Sequence, residues 1–428
     1  MSKKLLQIAL LTILSFSFIT AGGWDVKKSG GYARLASLGN NPYVIDPFNM
    51  TLNPAFGAVY DNVIIGDLGA TGVNTDQWAL VNFRVMDNLT IGGMLTQNGF
   101  NGGSIATLDP LTQINTAFGV VGILNSIGGA YNATALNNNI ELMSTLDLND
   151  FILGFGVAYA STSNETPAGA TQTSEASASQ FGLNAGVLIR FMSTLRLEGA
   201  FSLVFPGASS TAAGANEISV SETILGVTAR VFYDASKKVT LIPAVAFISG
   251  TGSVTNDNAV APNPNSVDLP SFTAFSLGLG MQYNAGDLML VGGPALVTTS
   301  VTNPASPNAG GVPETSVSQT SFPVWNIGAE WDFTDWLTGR LGYTATTTKQ
   351  TSEAAVPVAG GYAITETKTT NFGGLNGGPT GATLGLGLKF GGFWLDGTVN
   401  AEILRKGIAN IGGNTNTFGY LSVGYAFN

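Results

Sequence analysis

Cysteine and histidine are both missing from this sequence. Without cysteine there is no disulfide frame, no thiolate metal site and no lipidated N-terminal cysteine. Without histidine the chain lacks the one side chain that titrates near neutrality unaided, so neither a Ser-His nor a Cys-His nucleophile system can be built. A paired-carboxylate mechanism stays formally open. No such pair stands out, so no catalytic residue, metal or cofactor is assigned. Charge is scarce as well: 10% of residues are charged, against about 25% in an ordinary soluble domain. The net charge is −10, which argues against a nucleic-acid partner, since that needs a basic footprint. Beyond residue 21 no stretch of about 18 residues escapes polar interruption, so no helical membrane span is available.

What is present is glycine, phenylalanine and alternation. There are 56 Gly and 24 Phe, and mean hydropathy is +0.25. Residues 180–205 show the design. Phe181, Leu183, Ala185, Val187, Ile189 and Phe191 share one face; Gly182, Asn184, Gly186, Leu188 and Arg190 share the other. After a turn at Ser193, Leu195, Leu197, Phe201, Leu203 and Phe205 continue the apolar face, while Arg196, Glu198 and Ser202 continue the polar one. A period of two means paired strands. High hydropathy diluted by alternation fits a barrel wall with lipid outside and a polar interior. A soluble sandwich shows the same local pattern.

Residues 1–21 read as an export signal: Lys3 and Lys4 open it, residues 5–19 are apolar, and Ala21 or Gly22 marks the cleavage point. Export and a lipid-facing wall together point to the outer membrane of a two-membrane bacterium.

Residues 22–60 lack alternation and contain Pro42, Pro47 and Pro54. The run from Ala33 to Gly39, then residues 46–50, then Asn53-Pro54-Ala55, resembles the N-terminal region of the long-chain fatty-acid transporter family. It also resembles the related outer-membrane barrels of Bacteroidetes-type bacteria, some of which serve protein secretion. The resemblance covers roughly the first 100 residues. It implies a short hatch inside a barrel, with Arg34, Asn53 and Pro54 as hatch residues, and hydrophobic or amphiphilic cargo such as fatty acids or aromatic hydrocarbons. An apolar pocket would pass that cargo towards a gap in the wall. Barrels of that family typically have about 14 strands.

From residue 61 onward, alternating segments pair across short turns near residues 87–88, 149–150, 193, 234–237, 284–286, 334–335 and 391–392. Seven hairpins and one strand at each end predict an all-β, transmembrane antiparallel barrel of about 16 strands, with 14 possible, and a small N-terminal hatch. The domains are then 1–21 signal, 22–60 hatch and 61–428 barrel. The opposite connections (residues 99–137, 161–179, 207–216, 249–270, 302–317, 347–382 and 405–416) read as long loops rich in Ser, Thr, Asn, Gly and Pro. Residues 110–127 within the first of them could form a helix. The Gly-x-Gly fragments at Gly154, Gly278 and Gly385 lie inside strands and read as bends in the wall. Trp325, Trp331, Phe333, Phe393, Phe151 and Tyr233 lie near strand ends, where interfacial girdles belong. The last strand, ending in aromatics, resembles the signal read by the outer-membrane assembly machinery, the expected partner besides outer-membrane lipid and a small-molecule solute.

Charge falls on the face opposite the apolar one. A basic ring of Arg84, Arg190, Arg196, Arg230, Arg340 and Lys389 lies close to the short turns. Glu141, Glu198, Glu222, Glu330, Asp396 and Glu402 supply the acidic lumen positions. The ring is a constriction for anions or amphiphile headgroups, an ion-pair network that stiffens the barrel and docks the N-terminal segment, or both at once. Three roles follow: a passive transporter of hydrophobic or amphiphilic molecules, a weakly anion-selective porin narrowed by residues 99–137, or a scaffold or secretion-shuttle barrel. Oligomeric state is not encoded at this level.

Overall fold

The computed structural model describes residues 24, 26–68, 77–97, 139–167, 173–211, 216–257, 266–305, 311–359, 361–372, 381–399 and 418–427. The export signal, the 110–127 helix and Glu402 fall outside them. Among the described residues, eighteen strands form one antiparallel sheet. They are β1 (Val63–Asp67), β2 (Gln77–Met86), β3 (Leu89–Gln97), β4 (Asn139–Asp147), β5 (Phe151–Pro167) and β6 (Thr173–Met192). Next come β7 (Leu195–Thr211), β8 (Glu217–Asp234), β9 (Val239–Asn256), β10 (Ser266–Asp268), β11 (Ser271–Ala285) and β12 (Leu288–Asn303). Last are β13 (Thr315–Thr334), β14 (Leu337–Val358), β15 (Gly361–Phe372), β16 (Gly381–Phe390), β17 (Phe393–Val399) and β18 (Phe418–Ala426). The sheet closes where β1 meets β18, Val63 opposite Ala426 and Asp67 opposite Ser422. β10 pairs only with the end of β9, and β15 only with the upper half of β14. Beneath them β9 pairs β11 and β14 pairs β16 directly. The closed wall therefore has sixteen strands.

Alternation decides which way each side chain points. On β3, Ile91 and Leu95 are exposed while Met94 is buried. On β11, Leu277, Leu279 and Met281 are exposed, and Gly278 and Gly280 face inward against Tyr43. Phe155, Phe201, Phe247, Trp325, Ile327, Trp331, Phe333 and Tyr425 all lie on the outside. A continuous apolar exterior is stable only against hydrocarbon, and closure leaves no unpaired edge in it.

One expectation is corrected. Much of residues 161–179, 207–216, 249–270, 302–317 and 347–382 continues the strands instead of forming loops. β14 alone has 22 residues, where about 9–11 suffice to cross a bilayer. Past the membrane no lipid demands apolar side chains, so the alternation disappears. The backbone pairs nonetheless, because each N–H and C=O still needs a partner. Hydroxyls then line up across strands, as Ser177 and Ser209 do at 3.0 Å.

A barrel this wide is not filled by its own side chains. The described part of the N-terminal segment occupies the inside. It forms a helix, α1 (Tyr32–Ser37), and two 3-10 helices, Pro47–Thr51 and Pro54–Ala58. Both 3-10 helices start with a cap-proline pair. The Asp46 side chain accepts from the Phe48 N–H, and Asn49 returns a bond to the Asp46 N–H. Asn53 accepts from the Ala55 N–H. Proline at the first helical position loses nothing, since that N–H has no helical partner. Leu38, Tyr43, Met50, Phe56 and Tyr60 are fully buried against inward Leu80, Ile152, Leu188 and Trp394.

Candidate functional site

The inner wall is shaped to receive this segment. Gly154, Gly278 and Gly385 make room for it: a Cβ at Gly154 would overlap the Pro54–Ala55 backbone, one at Gly278 the Tyr43 hydroxyl, and one at Gly385 the Ser37 side chain. Polar bonds complete the seat. Trp394 Nε1 donates to the Gly30 carbonyl at 2.7 Å, Thr383 Oγ1 to Ser37 O at 2.9 Å, and Thr145 Oγ1 to Pro54 O at 2.7 Å. Asn82 Nδ2 donates to the Gly57 and Tyr60 carbonyls.

A buried ionic chain runs from the segment into the wall. Asp46 pairs with Arg34 at 3.0 Å, Arg34 with Glu330 at 2.7 Å, Glu330 with Arg340 at 2.7 Å, and Arg340 with Asp396 at 2.5 Å. All five side chains are almost wholly buried. Glu330 and Arg340 are register partners on β13 and β14. Lys27 adds contacts to Glu330 and Asp332. Burial pushes the Asp46 carboxyl up to about 6, although Arg34 pulls it down. The Arg34 guanidinium is held well above its usual range, its burial outweighed by Glu330 and Asp46.

Most of the remaining ring residues are also engaged. Arg84 binds Asp61, which in turn binds Lys28. Arg190 and Arg196 are opposite one another, as their turn requires. Each is neutralised from its outer flank: Arg190 by Asp147 and the Asn149 carbonyl, Arg196 by Asp234. The Arg196 guanidinium also lies over the Trp24 ring, 5.5 Å from its centroid. Arg230 binds Glu198 at 2.7 Å and donates to the Pro42 and Val44 carbonyls at 2.9 Å. Lys389 is exposed at the rim with no ion pair among the described residues. Glu141 and Glu222 are buried on the inner face. Asn53, besides capping, reaches Glu198 and the Gly199 carbonyl. The ring is thus a set of clasps, most of them closed on acids or on the segment. Sequence reasoning passed over Asp46, Asp61 and Tyr43; the Asp-Pro-x-Asn spacing at residues 46–49 was the signal for the first.

Two of the cavities that border the segment differ in character. One of about 890 Å³ opens among the short turns and has polar lining such as Ser193, Thr194, Lys237 and Asp287. The other, about 440 Å³, lies beside Tyr43 and is mainly apolar, bounded by Leu35, Val44, Phe48 and Leu52 of the segment and by Ala244 and Ala246 of β9. Next to it the wall is irregular. Tyr43 Oη donates to the Pro294 carbonyl at 3.0 Å. Around Pro294 the β11–β12 ladder skips from Gly278–Ala295 to Met281–Gly292. The β12–β13 ladder shifts between Ala295 and Val297, and β13–β14 between Ser321 and Val324, on either side of Pro323. Proline has no N–H to give a ladder.

A closed sixteen-strand wall with an apolar exterior, and an N-terminal segment packed inside it, define a transmembrane β-barrel. No family model and no curated protein matches the sequence. Among solved structures it is similar to the FrpB iron transporter from Neisseria meningitidis, at 10% identity and TM-score 0.38, over 81% of this chain and 63% of that one. The chain therefore spans less than two thirds of FrpB. It is also similar to a Pseudomonas aeruginosa FadL homologue, at 11% identity and TM-score 0.37, over 91% of this chain and 96% of that one. A third is the Pseudomonas putida toluene transporter TodX, at 10% identity and TM-score 0.36, over 95% and 100%. At these scores the fold rests on the closed sheet itself.

Proposed function

We propose that the protein is an outer-membrane transporter that lets small hydrophobic or amphiphilic molecules cross by diffusion, exported by residues 1–21 and cleaved near Ala21. The observation that carries this is the apolar cavity beside Tyr43 set against the proline-interrupted stretch of β11–β13. A greasy site next to a stretch of weakened ladder gives cargo a place to bind and a sideways exit towards lipid. Residues 22–60 act as the hatch that separates this cavity from the turn-end mouth. No energy source is needed, because apolar cargo moves down its own gradient between site and hydrocarbon.

The test is uptake by liposomes holding the purified protein. Apolar solutes should enter faster than into empty liposomes, while planar-bilayer recordings show little steady ion current. A large, steady, anion-selective current would instead make the protein a porin.

A further inference from the structure

We propose that the cavity beside Tyr43 takes an uncharged hydrophobe, such as an alkylbenzene or a medium-chain alcohol, and rejects the ionised form of a fatty acid, with Glu198 setting that preference. This rests on the reading of the cavity as the cargo site and narrows the cargo to one chemical class.

Among the described residues, the only charged side chains lining the cavity are Arg230 and Glu198. They pair with each other at 2.7 Å, so their charges, +1 and −1, sum to zero. Arg230 also reaches the segment, where one terminal nitrogen donates to both the Pro42 and Val44 carbonyls, and its guanidinium lies over the Phe232 ring. Glu198 is held from the other side by Asn53. The next cation, Arg34, is bracketed by Asp46 and Glu330. An entering carboxylate would lose its water and find no net positive charge, with the Glu198 carboxylate on the cavity wall. An ammonium head would fare no better, because Glu198 is already matched.

The polar groups left to a ligand are neutral. Tyr43 spends its hydroxyl on the Pro294 carbonyl, and Asn41 uses both ends of its amide, on Val291 O and Tyr43 N–H. Thr228 and Ser276 line the wall side with hydroxyls, which can serve an alcohol as donor or acceptor. The volume, about 440 Å³, falls at the small end of the roughly 300–1,000 Å³ of small-molecule sites.

Equilibrium dialysis of the full chain in lipid nanodiscs, with empty nanodiscs as blank, decides the matter. Dodecanol, laurate and dodecylamine share a chain and differ in head charge. At pH 7.5 dodecanol should bind at least about tenfold more tightly than either ion, and Ala246→Trp should remove that binding by filling the cavity. Glu198→Gln, which leaves Arg230 uncompensated, should raise laurate affinity about tenfold and leave dodecanol within about threefold. Equal binding of laurate and dodecanol by the unaltered protein overturns the preference while leaving the cavity as cargo site. Binding of none of the three, or dodecanol binding indifferent to Ala246→Trp, overturns the cargo site and the preference together. Unchanged laurate affinity in a folded Glu198→Gln protein removes Glu198 from its role.

Discussion

Arg34 and Glu330 are 296 residues apart and form a two-pronged pair inside the barrel. Arg34 Nε donates to Glu330 Oε2 at 2.7 Å, and Nη2 donates to Oε1 at 3.2 Å. One partner belongs to the N-terminal segment and the other to the wall, so the pair measures whether the segment is seated. Two parallel bonds fix orientation as well as distance.

Replacing Arg34 by Met should therefore unseat the segment. It strands Asp46 as a buried carboxylate, while Glu330 keeps Arg340 and Lys27, and removing one partner of a buried pair costs about 3–5 kcal/mol. Protease added to the folded barrel should cut within residues 24–60 of the variant and leave the unaltered protein intact. Ion current should rise at the same time. Equal protease resistance would mean that the remaining contacts hold the segment alone.

Steric blocking should act without touching charge. Gly154→Leu places side-chain atoms where Pro54 and Ala55 lie. The same unseating is expected, with the wall still folded. Gly199→Ala is the control, since its Cβ would meet only ordinary contacts.

Acid should change the seat through Asp46. Burial raises this carboxyl to about 6, partly countered by Arg34, against about 3.9 in an unfolded chain. Between those values the native state holds the proton and the unfolded state does not. The contribution of Asp46 to stability is then largest below about pH 4 and declines as pH rises through 6. Infrared difference spectra should show one carboxyl titrating near 6 that Asp46→Asn removes.

The apolar exterior predicts a depth-dependent penalty. Leu277→Arg should cost about 2–4 kcal/mol in reversible unfolding from lipid if Leu277 meets mid-membrane. Ser177→Arg, on the strand extension where hydroxyl ladders replace apolar residues, should cost almost nothing. Equal effects would mean that the extension also lies in hydrocarbon.

Backbone alternation was enough to reveal the wall. The turns near residues 87–88 and 193 lie where they were placed, before Leu89 and Leu195, and the count of about sixteen strands holds. A side chain's face depends only on the parity of its position, which is local information. The lengths of β5–β9 and of β11–β14 were not legible, because outside the membrane the apolar signal stops while backbone pairing goes on.

The site divides in the same way. Sequence placed Arg230, Arg340, Glu198 and Glu330 on the inner face, since parity settles that. It left open whether they lined a charged passage or locked a plug. That choice depends on Asp46, Pro42, Val44 and Trp24, which meet the wall only after the chain folds back through the barrel. The meaning of Gly154, Gly278 and Gly385 was decided there too: a missing Cβ reads as a bend or as a seat according to what approaches it. Composition and period made a membrane barrel; long-range contact alone determined that most of its inward arginines are spent on acids and on the segment.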